Sequence, residues 1–496
     1  MTKTKERNVA IALLISILLA AVESTIVSTA IPTLVSDLGG AEWINWVIAI
    51  YFLTSSIATP IYGKLADLFG RKIIFTVGAS IFLLGSLLCG LAQNIHQLIG
   101  FRAIQGLGAG GILPITATIM GDLYSYEKRA KMQGWVSTVW GIAGIIGPIA
   151  GGIIVDYLSW HWIFLINLPI GAVSLTMIWL FLHETVKKKE KKYIDYPGAI
   201  TFTIAMTALL FAMQAGGTLY AWNSPVTFGL FASAFLFLGV FIWIQKKSAD
   251  PLLPLQIFQN STLLFSNIAG FTASAVLTGM VTFIPIWMQG IKGFSATASG
   301  ITLIPLSIAW AIGATFGGRA LIKLGPRKTV FIGFSFLLMG TSWLATVDME
   351  TPRLTFMMIT SIMGLGFGFS FTTMTVTIQS VVSWEIRAAA TASNTFIRSL
   401  GSTIGIAILG TIFNHMVMQA SLKQGYTISK EQLDQILNPH ASQHLSSTVL
   451  FHVREALASG IQTIFILLTA LAVLTFLTGF RMPKHKPESN PQTRPS

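Results

Sequence analysis

The chain has 496 residues, of which 53% are hydrophobic and only 10% charged. Soluble domains carry about 25% charged residues, so this composition excludes an ordinary soluble enzyme and points to many membrane spans. The formal net charge of +13 does not signal nucleic acid, because Lys and Arg fall in short segments between apolar runs, where the positive-inside rule places them.

Lys3, Lys5 and Arg7 precede the first apolar run, in which Asn8 to Ile31 holds one ionisable residue, Glu23. A cleaved signal peptide has a shorter apolar core and a small-residue cleavage site, so this run reads as a retained first span. Apolar runs then fall at about 9–31, 44–62, 73–93, 97–120, 132–154, 161–182, 196–214, 225–245, 263–288, 296–317, 329–346, 354–378, 388–412 and 458–480. This predicts fourteen transmembrane helices in an all-α membrane protein. With the N-terminus inside, 25 of the 32 Lys and Arg lie in inner segments and five in outer ones, while Arg102 and Arg398 lie within spans. That asymmetry predicts both termini on the cytoplasmic side. The lone cysteine, Cys89, lies in an apolar run, so neither a disulfide framework nor a metal cluster is expected.

Three segments are expected outside the membrane. They are a charged linker at Lys187–Lys192, a polar outer loop over 413–457 with a short amphipathic helix near Ser429–Leu437, and a Pro-rich disordered tail, 483–496. A faint internal repeat organises the rest. Gly63 and Gly70 with Arg71-Lys72 behind are echoed by Gly318 and Gly325 with Arg327-Lys328. Gly106, Gly108 and Gly110 are echoed by Gly364, Gly366 and Gly368. Parallel repeats of this kind mark one class of secondary transporters. The expected division is a six-helix bundle over 1–186, a linker with two inserted helices over 187–260, and a second six-helix bundle over 261–482.

The motifs resemble those of the major facilitator superfamily, in its fourteen-helix drug:proton antiporter branch. Gly63-x-Leu65-x-Asp67-x-x-Gly70-Arg71-Lys72 is similar to that family's loop motif after the second helix. Leu98-x-x-x-Arg102-x-x-Gln105-Gly106 resembles its fourth-helix motif, and Gly141-x-x-Gly144-x-x-Gly147-Pro148-x-x-Gly151-Gly152 resembles the fifth-helix motif associated with exporters. Trp160 to Gly171 is similar to the opening of the sixth helix, and Arg398-Ser-Leu-Gly401 to a stretch of the thirteenth. The chain departs from the branch in carrying Glu23 where Asp is usual and His161 where Arg is more common. Ile322 stands where the first repeat has Asp67, so any ion-pair gate is expected on one side only.

Each candidate residue has a functional and a plainer reading. A carboxyl desolvated among Leu, Ile and Val can hold a proton at one membrane face and release it when hydration changes, which makes Glu23 the proton-coupling candidate. The plainer reading pairs it with a hydroxyl such as Thr25. Arg102 keeps its charge and must face a carboxylate, carbonyls or a wet cavity. Glu23 is the available first-half carboxylate, and Gln105 lies near the same helix face. The resemblance implies a gate at Gly63, Asp67, Gly70 and Arg71, while Asp122, Glu127, Arg129 and Lys131 read as ordinary surface charges, with Arg129 a possible partner. In the fifth-span motif, Gly144, Gly147, Gly151 and Gly152 permit close packing and Pro148 a bend. Asn394 and Arg398 lie one turn apart and line either a cavity or a helix contact. Gln105, Trp140, Phe283 and Trp287 join Glu23, Asn394 and Arg398 as substrate-cavity candidates, with Met and aromatic side chains suited to promiscuous binding. Asp156 and His161 flank an outer loop, where His161 reads as an interfacial anchor beside Trp160.

Gly106-x-Gly108-x-x-Gly111 lacks the preceding strand that a dinucleotide site requires, and no G-x-x-x-x-G-K-[ST] occurs, which argues against cofactor binding and ATP drive. The expected function is therefore not enzymatic. It is proton-coupled efflux of amphipathic or cationic small molecules by a monomer in a bacterial plasma membrane, with no metal or cofactor. A dedicated exporter of one metabolite, such as an amino acid, siderophore or lipid precursor, is the alternative.

Overall fold

The computed structural model describes residues 3–38, 44–184, 194–216, 220–248, 250–253, 259–294, 296–423 and 447–482. The linker Lys187–Lys192, the amphipathic stretch near Ser429–Leu437 and the tail 483–496 lie outside the described residues. Within them the chain is helical, apart from one isolated β-bridge between Gly216 and Tyr220.

The helices follow the apolar runs. In order they are α1 (Lys3–Leu38), α2 (Ile44–Phe69), α3 (Arg71–Cys89), α4 (Ile95–Leu123), α5 (Tyr126–Tyr157), α6 (His161–Leu165), α7 (Asn167–Phe181), α8 (Tyr196–Ala215) and α9 (Pro225–Lys247). Next come α10 (Ser261–Ile286), α11 (Ala296–Ile301), α12 (Ile304–Leu324), α13 (Pro326–Leu344), α14 (Arg353–Val381), α15 (Arg387–Lys423) and α16 (Ser447–Thr478). Local chemistry sets several of the starts. Asn94 caps α4 by accepting from the Gln97 amide at 2.9 Å, and Asp195 caps α8 from the Gly198 amide at 2.9 Å. Pro285 near the end of α10 removes a backbone donor, and the helix widens into a π turn over Trp287–Ile291.

Twelve helices among the described residues are long and apolar enough to cross a membrane. The chain is a multi-pass, all-helical membrane protein. The fifth and eleventh apolar runs fold as α5, of 32 residues, and α13, of 19, and neither is among the twelve. In α13, Arg327, Lys328 and several Gly, Ser and Thr dilute the apolar character, while in α5 several side chains lie outside the described residues.

Two compact units account for the packing. The first holds Met1–Leu264 together with Thr375–Phe396, and the second holds Phe265–Met374 with Ile397–His485. The first unit is filled by Val9, Leu13, Phe75, Phe82, Ile112 and Ile115, with a further cluster around Ile26, Cys89, Trp160 and Phe164. The second is filled by Val276, Phe283, Trp287, Phe334, Phe367 and Phe465.

The sequence repeat has a physical counterpart in each unit. Gly70 has φ +97° and Gly325 φ +81°, the left-handed region that favours glycine. Each closes one helix and opens the next, giving the α2–α3 and α12–α13 turns. The glycine triads also behave alike. A Cβ on Gly106 or Gly110 would meet the α2 backbone at Tyr51 or Ser55, and one on Gly108 would meet α3 at Phe82. A Cβ on Gly364 or Gly368 would meet the α12 backbone at Leu306 or Trp310, and one on Gly366 would meet α13 at Gly333. Residues four apart share a helix face and the one between points away, so three small residues seat one helix against two neighbours. Gly108→Val is expected to lower stability by about 2 kcal/mol through overpacking, read as a lower melting point of the detergent-purified protein.

Candidate functional site

Glu23 sits on α1 with no solvent exposure, and Arg102 on α4 is 1% exposed. An ionised pair this deep persists only if its remaining donors and acceptors are also satisfied. They are. Glu23 Oε1 accepts from Arg102 Nη1, and Oε2 accepts from Asn167 Nδ2 at 2.6 Å. Arg102 Nη1 also donates to Gln105 Oε1 at 2.6 Å, and its Nε donates to the Val47 carbonyl at 3.1 Å. The guanidinium lies 4.2 Å from the Tyr51 ring centroid, a cation–π contact. Ser86 Oγ ties the two amides together. It accepts from Gln105 Nε2 at 3.1 Å and from Asn167 Nδ2 at 2.9 Å, and donates to the Phe164 carbonyl at 2.8 Å. Side chains of α1, α3, α4 and α7 thus meet in one network, with all members in the first unit. Thr25 instead donates to the carbonyls of Val22 and Ala143.

Asn167, Ser86 and Tyr51 were not singled out as sequence candidates. The available signal was a polar amide inside the apolar sixth run, two residues before Pro169. Asn167→Ala leaves Glu23 Oε2 without its donor. Losing a hydrogen bond to a charged group costs about 1.5–3 kcal/mol, so chemical unfolding should occur at visibly lower denaturant.

The second charged cluster lies at the α2–α3 turn. Arg71 Nη2 donates to Asp67 Oδ1 at 2.9 Å and to the Trp384 carbonyl at 2.8 Å, and Nε donates to Asp122 Oδ2 at 3.0 Å. The guanidinium also stacks 3.9 Å from the Trp384 ring centroid. Asp67 accepts from the amides of Ala388 and Ala389 at 3.2 and 2.9 Å. These belong to the first turn of α15, whose amides have no helical partners and where negative charge is favoured. Asp67 therefore serves as a remote cap for α15. Arg387 completes the ring by donating to Asp122 Oδ1 at 2.6 Å. Asp122 is thus shared between two arginines, which corrects its expected standing as an ordinary surface charge. Arg129 donates to the Tyr124 and Gln379 carbonyls at 2.7 and 3.4 Å. Gly63 packs so closely on Ala392 that an added Cβ would lie 2.4 Å from the Ala392 Cβ.

The other candidates have varied surroundings. In α5, Gly147 faces Thr25, Gly151 is buried and Gly144 exposed, while the side-chain positions of Pro148 and Gly152 lie outside what is described. Trp140 is exposed. Phe283 and Trp287 are buried in the second unit's core, where Phe283 packs on Phe413 and Trp287 on Phe356 and Phe465. Asn394 is buried, and Arg398 lies over the Phe371 ring. His161 stacks on Trp160, whose indole Nε1 donates to Asp37 at 3.0 Å, as an interfacial anchor would. The network sites do not all converge. Glu23, Arg102 and Gln105 touch, Asp67 and Arg71 touch, and Phe283 and Trp287 belong to the second unit.

Comparison with known proteins agrees with the motifs. The Major Facilitator Superfamily profile matches residues 13–406. The "Multidrug transporter protein MdtP" of Bacillus subtilis (strain 168) is 38% identical over 405 residues, covering 81% of this chain and 74% of its own. "Multidrug resistance protein 3" of the same organism is 35% identical over 486 residues, covering 96% and 95%. Among solved structures, the human organic anion transporter MFSD10 (TETRAN) superposes with a TM-score of 0.67 at 14% identity, over 97% of this chain and all of its own. That last likeness is one of fold.

Proposed function

This chain belongs to the Major Facilitator Superfamily, and on that premise we propose that it exports amphipathic or cationic small molecules in exchange for protons, by alternating access. The family is one of transporters, and relatives of this chain carry multidrug names at 35–38% identity. The observation that carries the proton-coupling part is the fully buried Glu23, held by Arg102 and Asn167. Protonation would cancel the charge that binds Arg102 and convert one carboxyl oxygen from acceptor to donor. The tie between α1 and α4 would loosen, so proton occupancy and helix arrangement become linked. A cationic substrate competing for the same carboxylate would drive the proton off, which is the logic of antiport.

In this reading the ring of Asp67, Arg71, Asp122 and Arg387 is the cytoplasmic gate, and the α5 glycines let that helix slide and seal. Fourteen spans with both termini cytoplasmic are supported by the distribution of Lys and Arg and by α5 and α13 standing beside the twelve apolar helices. We read 1–186 and 261–482 as the two six-helix bundles, 187–260 as the inserted pair, and the working unit as a monomer in the plasma membrane.

The test is proton release from purified protein in weakly buffered detergent, on adding a chemically diverse panel of compounds. Release is expected for several unrelated cationic or amphipathic compounds. No release with any of them, or proton uptake instead, refutes antiport. Release with a single compound class identifies a dedicated exporter.

A further inference from the structure

The two intramembrane arginines differ in one respect. Arg102 has a carboxylate, whereas Arg398 has none among the described residues. Arg398 lies in α15, roughly 16 Å along the helix from Arg387, which is about half the thickness of a bilayer's hydrocarbon core. Its Nε is buried and makes no hydrogen bond. Its one described contact is with the Phe371 ring, whose centroid is 3.7 Å from the guanidinium carbon. Phe371 stacks in turn on Phe367 and packs at a tilt against Trp310, with centroids 5.7 and 5.4 Å apart.

Among the described residues the second unit offers no buried counter-charge. Its described acidic residues are Asp348 and Glu350 in the α13–α14 loop and Glu455 on α16, all three exposed. Guanidinium does not shed its proton in a protein, and a charge at mid-membrane depth is costly without a partner. An arginine held there by an aromatic shelf, with its donors unspent, is prepared for an anion that arrives from outside. The planar fork suits a carboxylate or phosphate, and the half-buried Trp310 beside the shelf suits an apolar or aromatic body joined to it.

We propose that the second unit contains an anion site, in which Arg398, backed by the buried Phe371 and Phe367, binds the carboxylate or phosphate group of an amphipathic solute whose apolar part lies against the half-buried Trp310. This extends the substrate class of the proposed exporter to amphipathic anions. It rests on that reading only in calling the ligand cargo, since the binding itself requires neither proton coupling nor transport.

The experiment uses full-length protein in nanodiscs of zwitterionic lipid. The probe is pyrenebutyrate, compared with its uncharged primary amide, and binding is followed by pyrene fluorescence. The carboxylate is expected to bind at least 10-fold more tightly than the amide. Arg398→Gln should reduce that ratio to near one, while Arg398→Lys, which keeps charge but loses the fork, should retain a ratio of a few-fold. A second arm adds phosphatidylglycerol to the nanodisc. If it weakens pyrenebutyrate binding in the wild type and not in Arg398→Gln, the anion site is filled by a lipid headgroup. If it has no effect, the site takes free solutes. Equal affinity for acid and amide in the wild type overturns the proposal, as does a ratio unchanged in Arg398→Gln. Should Arg398→Gln fail to elute as a monodisperse peak, the Lys variant decides: an undiminished ratio there refutes bidentate capture. Because the readout is equilibrium binding, absence of proton release in the antiport assay leaves this result standing, and the reverse also holds.

Discussion

Glu23→Gln is expected to abolish proton-driven efflux while leaving the chain folded and inserted. The two side chains have nearly the same shape, so the packing around position 23 survives. Glutamine Oε1 still accepts from Arg102, but Nε2 would face Asn167 Nδ2, donor against donor, until one amide turns. That adjustment costs about 1–3 kcal/mol, the penalty of a buried polar group left unsatisfied. The functional loss is larger in kind, because glutamine does not titrate and no acidic group replaces it within the first span. Dye efflux from energised vesicles should fall to the level of vesicles lacking the protein. Substrate binding to the purified variant should no longer release protons. Glu23→Ala should behave worse, since it strands both Arg102 and Asn167; removing one partner of a buried ion pair costs about 3–5 kcal/mol. Undiminished gradient-driven efflux in Glu23→Gln would sink the assignment.

The second large effect is expected at Asp67. Its two oxygens serve three donors, namely Arg71 Nη2 and the amides of Ala388 and Ala389. Asp67→Ala removes all three bonds at once and leaves Arg71 with Asp122 as its remaining carboxylate. A loss of about 3 kcal/mol from the present arrangement shifts its equilibrium with an opened one roughly 100-fold. Ala392, buried against Gly63, offers a place to read this. In a background with Cys89→Ser, the thiol of Ala392→Cys should react slowly with maleimide, and about 100-fold faster once Asp67→Ala is added. Asp67→Asn keeps one acceptor and should fall between. A labelling rate that ignores position 67 would show that the ring does not hold this end of the molecule closed.

Much of this site was legible beforehand, and for a simple reason. A charge in an apolar run is conspicuous one residue at a time, so Glu23, Arg102 and Arg398 stand out without any fold. The glycine triads are equally visible, since small residues at spacings of two and four have few uses in an apolar helix besides close packing. Asn167 and Ser86 are harder to see, because a lone amide or hydroxyl in a span is less costly than a charge and draws less notice. Asp122 misled in the opposite direction. Beside Glu127, Arg129 and Lys131 it looks like part of a solvated loop, and only the position of Arg387 reveals otherwise.

The sequence by itself determined that the chain lives in a membrane, that its helices follow its apolar runs, that glycines recur at positions 70 and 325, and which charges are out of place. These follow from hydrophobicity, small side chains and backbone freedom, which act locally. The tertiary structure alone decided who partners whom. Glu23 meets residues 79 and 144 positions away, Asp67 caps a helix 321 positions away, and Asp122 pairs across 265. Arg398 meets an aromatic face and, among the described residues, no carboxylate. Such pairings depend on the depth and rotation of each helix. Those are set by the summed packing of many weak apolar contacts, and no single stretch of sequence records that sum.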